Sequence, residues 1–265
     1  MIINEYRKIE IRELAEAISE TYFRSQTVNP EIVAADNNLT FSYGYYKDYF
    51  DGMLEHRFGS FHVYLNLDRL VFSDSPRARF TFAHELGHFF IDEHRNALRK
   101  GKVPSHPSFN KLLSKNIVER EADLFVACFL APSKMFKSLC RARPLDPKLI
   151  DELAKKFNIS TSACIFRYFD LNLFPMILIF SRNGVIEWVM PTSDFRFTWP
   201  RRGRKVYSSS VAGEFFSNGR KYADKQIVFP EDWFEDVFNK KQQLYEKCYY
   251  QSTNSVLSMI WIKEK

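Results

Sequence analysis

An α+β fold is predicted by three features of this 265-residue chain. Apolar residues recur at helical spacing through much of the first two thirds. Runs of β-branched and aromatic residues dominate beyond Pro175, and the proline-framed stretch Pro144-Leu145-Asp146-Pro147 divides the two regimes. Taken in order, Ile9, Ile11, Leu14, Ala15 and Ile18 predict a helix over Ile9–Tyr22, and Phe41–Tyr46 and Phe61–Leu67 read as extended. Ser75-Pro76 is a helix start, because serine can cap the free N–H groups and the proline ring presets φ at the first helical position. That helix is expected to run from Pro76 to near Leu98. Gly101, Pro104, His106 and Pro107 mark a loop, followed by a helix from about Asn116 to Leu130 that Pro132 closes. Leu149–Phe157 and Thr161–Leu171, separated by Asn158-Ile159-Ser160, have the apolar spacing of a helix-turn-helix. Met176–Phe180 and Val185–Met190 form a hairpin around Ser181-Arg182-Asn183-Gly184, and Leu244–Gln251 with Val256–Ile262 form a second. The expected divisions are 1–140, a helix-turn-helix-like segment 141–172, and a β-rich part 173–265.

Composition excludes whole classes of function. With 45% hydrophobic, 16% aromatic and 26% charged residues, the chain can build a core and is not disordered. Residues 1–20 are studded with charge and lack the apolar stretch of an export signal. The longest apolar run, Phe174–Phe180, falls far short of the roughly 20 residues needed to span a bilayer. Cys128, Cys140, Cys164 and Cys248 are widely spaced, which argues against a disulfide framework and for a reducing, cytoplasmic setting. The net charge of +6 is uneven: residues 1–135 carry 17 Lys and Arg against 18 Asp and Glu, residues 136–265 carry 21 against 14. An acidic partner would therefore meet the second half.

His84-Glu85-Leu86-Gly87-His88 lies within the helix that starts at Pro76. On such a helix His84 and His88 are about 40° apart and about 6 Å along the axis, so both imidazoles can reach one metal ion. Glu85 flanks that face, where it can serve a metal-activated water as general base without being a ligand. Two neutral nitrogens preserve most of the charge of Zn2+, which is what lowers the pKa of a bound water. Chance would produce this pattern in about one such chain in a hundred.

A catalytic zinc needs a third protein ligand, and two candidates differ in kind. His94 stands six residues after His88, but Ile91 replaces the glycine that would let the chain turn out of the helix. If the helix continued, His94 would be about 15 Å from His84 along the axis and would end as a solvated helix-terminal residue. Glu119-Arg120-Glu121-Ala122-Asp123, on the next helix, offers the better set. Glu119 and Asp123 share a face, so Glu119 can bind the metal while Asp123 accepts a hydrogen bond from a ligand histidine. Glu121 faces elsewhere and is the reserve ligand. Ala122 is small, which allows close approach of the two helices.

Arg79-Phe-Thr-Phe-Ala-His-Glu-Leu-Gly-His88, followed by Glu119-Arg-Glu-Ala-Asp-Leu-Phe-Val-Ala-Cys-Phe-Leu-Ala-Pro132, resembles the ImmA/IrrE family of zinc metallopeptidases. The resemblance covers about Phe61–Pro132, and Leu149–Leu171 looks like the helix-turn-helix that often trails the peptidase unit. The β-rich tail is comparable to a sensor-like terminal domain of some relatives. The resemblance implies a zincin-like, gluzincin-type site with His84, His88 and Glu119 on zinc, Glu85 as general base and Asp123 behind a ligand histidine. It also implies a substrate, a helix-turn-helix transcriptional repressor whose cleavage releases stress-response or mobile-element genes. The 31-residue offset from His88 to Glu119, with its loop near His106, is a departure from the family pattern.

Three further expectations follow from the residues. Tyr43, Tyr45, Tyr64 and His106 are candidate oxyanion donors. The strand Phe61–Leu67 could take an extended substrate on its edge. DNA contact through Lys155, Lys156 and Arg167 within 149–171, or through Arg201-Arg202-Gly203-Arg204-Lys205, is possible in charge but not favoured, since 136–200 carries only nine basic against six acidic residues. The competing reading is a DNA- or protein-binding regulator with a structural or sensory metal site and no proteolysis.

Overall fold

The computed structural model describes residues 3–22, 27–102, 105–109, 116–235 and 241–263, with the side chain of His106 also outside the described set. Two compact units emerge: Met1–Ala142 with Ile150–Arg167, and Arg143–Leu149 with Tyr168–Lys265. The chain is α+β throughout.

The first unit opens with α1 (Glu5–Tyr22) and α2 (Pro30–Asp36), then β1 (Thr40–Gly44), β2 (Gly52–Arg57), β3 (Ser60–Asn66) and the single turn α3 (Leu67–Leu70). Next come α4 (Pro76–Phe90), α5 (Asp92–Arg99), β4 (His106–Ser108), α6 (Ile117–Leu130) and α7 (Ser133–Cys140). The helices α8 (Pro147–Phe157) and α9 (Thr161–Asp170) follow. The four-stranded sheet has the order β1-β3-β2-β4, with β1 parallel to β3 and the other pairs antiparallel. The strand β3 is therefore internal. Both its edges are occupied, and it cannot add an extended substrate as the sequence reading proposed; among the described residues the outer strands are β1 and β4.

The strand β2 has no counterpart in the sequence reading. It joins β3 through Phe58 (φ 51°) and Gly59 (φ 80°), a two-residue turn with both φ values positive. Such a turn matches the natural twist of a hairpin, but it is normally announced by Asn-Gly or Asp-Gly. Phe58 is 91% exposed, so nothing in the burial pattern announces it either.

The motif helix starts as its sequence demands. The Ser75 side chain accepts the Ala78 amide at 3.1 Å, and Pro76 follows at the first helical position. The expected single helix to Leu98 is broken at Ile91, whose φ of −72° and ψ of 111° are extended. Ile91 is buried, and Asp92 and Glu93 open α5 immediately afterwards, where acidic side chains suit the free N–H groups. The chain thus turns without a glycine.

The helix pair is anchored to the first unit by a buried cation. Arg167 is 1% exposed; its Nε donates to the Ala131 carbonyl at 2.8 Å, and its Nη2 to Glu16 at 3.0 Å and to the Ser133 hydroxyl at 2.9 Å. This residue cannot meet a phosphate, whereas Lys155 and Lys156 are exposed.

In the second unit, β5 (Met176–Arg182), β6 (Val185–Pro191), α10 (Val211–Asn218), β7 (Gln226–Val228), β8 (Leu244–Tyr250) and β9 (Ser255–Ile262) build an antiparallel sheet of order β6-β5-β9-β8-β7. Its core includes Ile177, Ile179, Phe215, Trp233, Phe234 and Ile260. Beneath it the carboxylate of Glu246, fully buried, accepts the amides of Val211 and Ala212 at 2.9 and 3.1 Å. It also accepts the Trp233 indole N–H at 2.9 Å and the Ser258 hydroxyl at 3.0 Å. A negative charge at a helix N-terminus satisfies orphan N–H groups and the helix dipole together. The basic run Arg201–Lys205 is held along β6, with the Ile186 amide donating to the Arg204 carbonyl at 2.9 Å.

Candidate metal centre

The site is built where α4 meets α6. Gly87 permits the approach: a Cβ there would lie 3.3 Å from the Ala122 Cα, so a glycine facing an alanine sets the helix spacing. The close approach carries Glu119 over the two histidines. His84 Nε2 is 3.3 Å from Glu119 Oε2, His88 Nε2 is 3.3 Å from Glu119 Oε1, and the two Nε2 atoms are 3.1 Å apart. Zinc with ligands near 2.0 Å in a tetrahedron separates its ligand atoms by about 3.3 Å, so the observed triangle fits that ion without rearrangement. These three residues form the one His, Cys, Asp and Glu group of metal-holding geometry among the described residues.

Each imidazole is backed on its other nitrogen. His84 Nδ1 is 3.1 Å from Asp123 Oδ1, in the relation expected from the four-residue spacing of Glu119 and Asp123. His88 Nδ1 is 3.1 Å from His94 Nδ1, and His94 Nε2 is 3.0 Å from Glu121 Oε2. His94 is therefore neither a distant helix-end residue nor solvated: it is 7% exposed and touches the side of His88 that faces away from Glu119. The break at Ile91 brings it there. Glu121 is engaged by His94 and by Arg7 of α1, whose Nη2 donates to Glu121 Oε2 at 3.0 Å. It does not join the triangle, and its role as a reserve ligand lapses.

The electrostatics favour a cation. Burial disfavours a protonated His84, yet Asp123 and Glu119 outweigh it and raise that ring to about 10. At His88 burial dominates, helped by the neighbouring His84, and the ring falls to about 3. Burial alone would raise Glu119, but its contacts with the two imidazoles hold it well below the usual carboxylate range. The cluster thus gathers a positive charge even from protons, which is the behaviour of a site with an excess of negative ligands.

Glu85 is fully buried, and neither of its oxygens completes a hydrogen bond of normal geometry. Burial pushes its carboxyl up to about 7, against the opposing influence of His84, the Ser108 hydroxyl and the Leu54 backbone. The β2 backbone seals it in: a Cβ on Gly52 would stand 2.8 Å from Glu85 Oε1 and 2.6 Å from the Thr81 Cγ2. An unpaired buried carboxylate costs stability, and such groups concentrate where chemistry uses them.

The suggested oxyanion donors fare less well. Tyr43 donates its hydroxyl to Glu31 at 2.8 Å and Tyr64 to Glu55 at 3.0 Å, so both protons are committed elsewhere. Tyr45 is exposed, and the His106 side chain lies outside the described residues. The sequence reading missed Gly52, Gly87, Arg7 and the roles of His94 and Glu121. Acidic Asp92-Glu93 after a β-branched residue is the signal that could have revealed the break.

Among the described residues no helix is long and apolar enough to cross a membrane. All four cysteines are buried and none is in a disulfide. Comparison with curated proteins gave no match. Among solved structures, the whole chain is similar to a transcriptional regulator of Mycobacterium tuberculosis. The TM-score is 0.60 at 11% identity, over 98% of this chain and 77% of that one, a likeness of fold. Residues 65–169 match the peptidase family model described as an IrrE N-terminal-like domain, and this stretch contains α4, α6, the His84–His88–Glu119 triangle and Glu85. Over residues 65–169 this chain is thus similar to the IrrE N-terminal-like peptidase domain.

Proposed function

We propose that this chain is a zinc-dependent endopeptidase that cleaves a helix-turn-helix transcriptional repressor and so derepresses stress-response or mobile-element genes. One observation carries the chemistry: three ligand atoms with zinc-like spacing beside a buried carboxylate that completes no hydrogen bond of normal geometry. A zinc ion held by His84, His88 and Glu119 would supply Lewis acidity to a water and to the scissile carbonyl. Glu85, poised near neutrality, would take the proton of the attacking water and return it to the leaving amine. Asp123 would keep His84 oriented by accepting its Nδ1–H.

The repressor substrate rests on the family likeness of the peptidase segment together with the basic second half of the chain. In docking such a substrate, or DNA on which it sits, Lys155, Lys156, Arg201, Arg202 and Lys205 are exposed cations that could take part. The test is incubation of the protein with helix-turn-helix repressors encoded beside it, with zinc, with a chelator and as Glu85→Gln, followed by mass analysis of the fragments. Cleavage that needs zinc and Glu85 supports the reading. Salt-dependent binding to duplex DNA with every repressor left intact would replace it by a regulator without proteolysis.

A further inference from the structure

Behind His88 lie three residues that the proposed chemistry does not use. We propose that His94, Glu121 and Arg7 form a positioning chain that fixes His88 as its Nδ1–H tautomer and so reserves its Nε2 lone pair for the metal. The inference rests on the metal reading of the preceding subsection.

The hydrogen positions follow from the outer end, where the roles are unambiguous. Arg7 can only donate, and its Nη2 donates to Glu121 Oε2 at 3.0 Å while also holding Glu93 at 2.8 Å. An ionised Glu121 can only accept, so His94 Nε2, 3.0 Å from the same oxygen, carries a hydrogen. A neutral His94 then presents a bare Nδ1. Only an N–H can approach it at 3.1 Å, and the group there is Nδ1 of His88. With its hydrogen on Nδ1, neutral His88 has a free pair on Nε2, the atom that faces Glu119 and His84.

The two histidines of the motif are thus supported differently. His84 leans directly on the carboxylate of Asp123, whereas the carboxylate behind His88 stands one imidazole away. Metal-ligating histidines usually donate their second N–H to a carboxylate, a carbonyl or water, and here a neighbouring imidazole takes that place. Its own orientation is imposed by α6 through Glu121 and by α1 through Arg7. The amino-terminal helix therefore takes part in setting the metal site without touching it.

The experiment is chelator competition for zinc at fixed pH with the full chain, applied to wild type, His94→Phe, His94→Asn and Glu121→Gln. Thermal unfolding of each variant accompanies it. Phenylalanine keeps the ring shape but accepts nothing, and is expected to weaken zinc binding by about 10- to 100-fold. Asparagine places an amide oxygen near the former Nδ1, and should return affinity to within a few fold of wild type. Glu121→Gln still accepts from His94 and should fall between the two. Nitrogen-15 spectra of the zinc-loaded protein should show the His88 hydrogen on Nδ1. Unchanged affinity in His94→Phe, equal losses in His94→Phe and His94→Asn, or a His88 hydrogen on Nε2 each overturns the chain while leaving the metal site intact. A wild type that binds no zinc removes the metal reading itself, and this inference with it.

Discussion

Two carboxylates, one in each compact unit, are both completely buried, and they are opposites in every other respect. Glu246 in the β-rich unit is surrounded by donors: two helix amides, an indole N–H and a hydroxyl. Glu85 in the first unit completes no hydrogen bond of normal geometry, although the Ser108 hydroxyl and the Leu54 backbone act on it. Burial raises the pKa of both, and at Glu246 the Trp233, Cys248, Val211 and Ala212 contacts pull against it. The contrast separates two uses of the same group. A saturated buried carboxylate is a structural bolt that ties α10 to the sheet, whereas an unsaturated one stores a proton affinity that folding alone does not need.

The largest expected effect breaks the comparison on the catalytic side. Glu85→Gln removes the proton acceptor at constant shape, and zinc-dependent cleavage should fall by about a thousandfold, roughly 4 kcal/mol of barrier. Zinc binding, measured by titration, should stay at one equivalent. A variant that cleaves at wild-type rates would end the assignment of Glu85.

The next effect is on stability. Glu246→Leu strands the α10 amides and the Trp233 indole in an apolar core, and denaturant melts should show a loss of about 3 kcal/mol. Glu85→Leu, by contrast, should cost far less, because no donor loses a hydrogen bond of normal geometry. Equal losses at the two positions would dissolve the distinction between them.

The pH dependence sharpens it further. In metal-free protein the folded-state pKa of Glu85 is about 7, raised above the ordinary carboxylate value. The folded state then keeps a proton that the unfolded chain has already released. Stability should therefore fall as pH rises from about 4.5 through 7, by an amount of the order of 3 kcal/mol. Comparing wild type with Glu85→Gln isolates this slope, since His84 and Glu119 remain in both. A parallel pair of curves would show that Glu85 titrates normally.

The smallest effect concerns the lid over Glu85. Gly52→Ala would force a methyl group toward Thr81 and the Glu85 carboxylate, and should cost about 1–2 kcal/mol of stability. Cleavage should also fall as Glu85 is displaced, and an alanine variant with wild-type activity and melting would show that β2 yields there.

Much of the candidate site is legible in the sequence because helical spacing is a local property. The four-residue intervals His84–His88 and Glu119–Asp123 each place two side chains on one face, and Ser75-Pro76 and Asn116 mark where the two helices begin. The hairpin at Asn183-Gly184 is legible for the same reason, since those residues accept the positive φ the turn requires. The hairpin at Phe58-Gly59 uses the same pair of positive φ values with a residue that does not advertise them, so β2 went unread.

The remainder depends on contacts between distant segments. Ile91 leaves the helix without a glycine, and the turn buries it while a new helix starts at Asp92. That turn converts His94 from a remote surface residue into the support of His88. Similarly, Arg7 reaches Glu121 across 114 positions of sequence, and Arg167 is removed from any nucleic acid by Glu16, which lies 151 positions away. The sequence by itself marked the candidate metal-binding atoms and the candidate proton acceptor, since those follow from residue type and helical period. Only the tertiary structure decided how the two motif histidines are held, because the orientation of a ring depends on which group, from however far along the chain, reaches its other nitrogen.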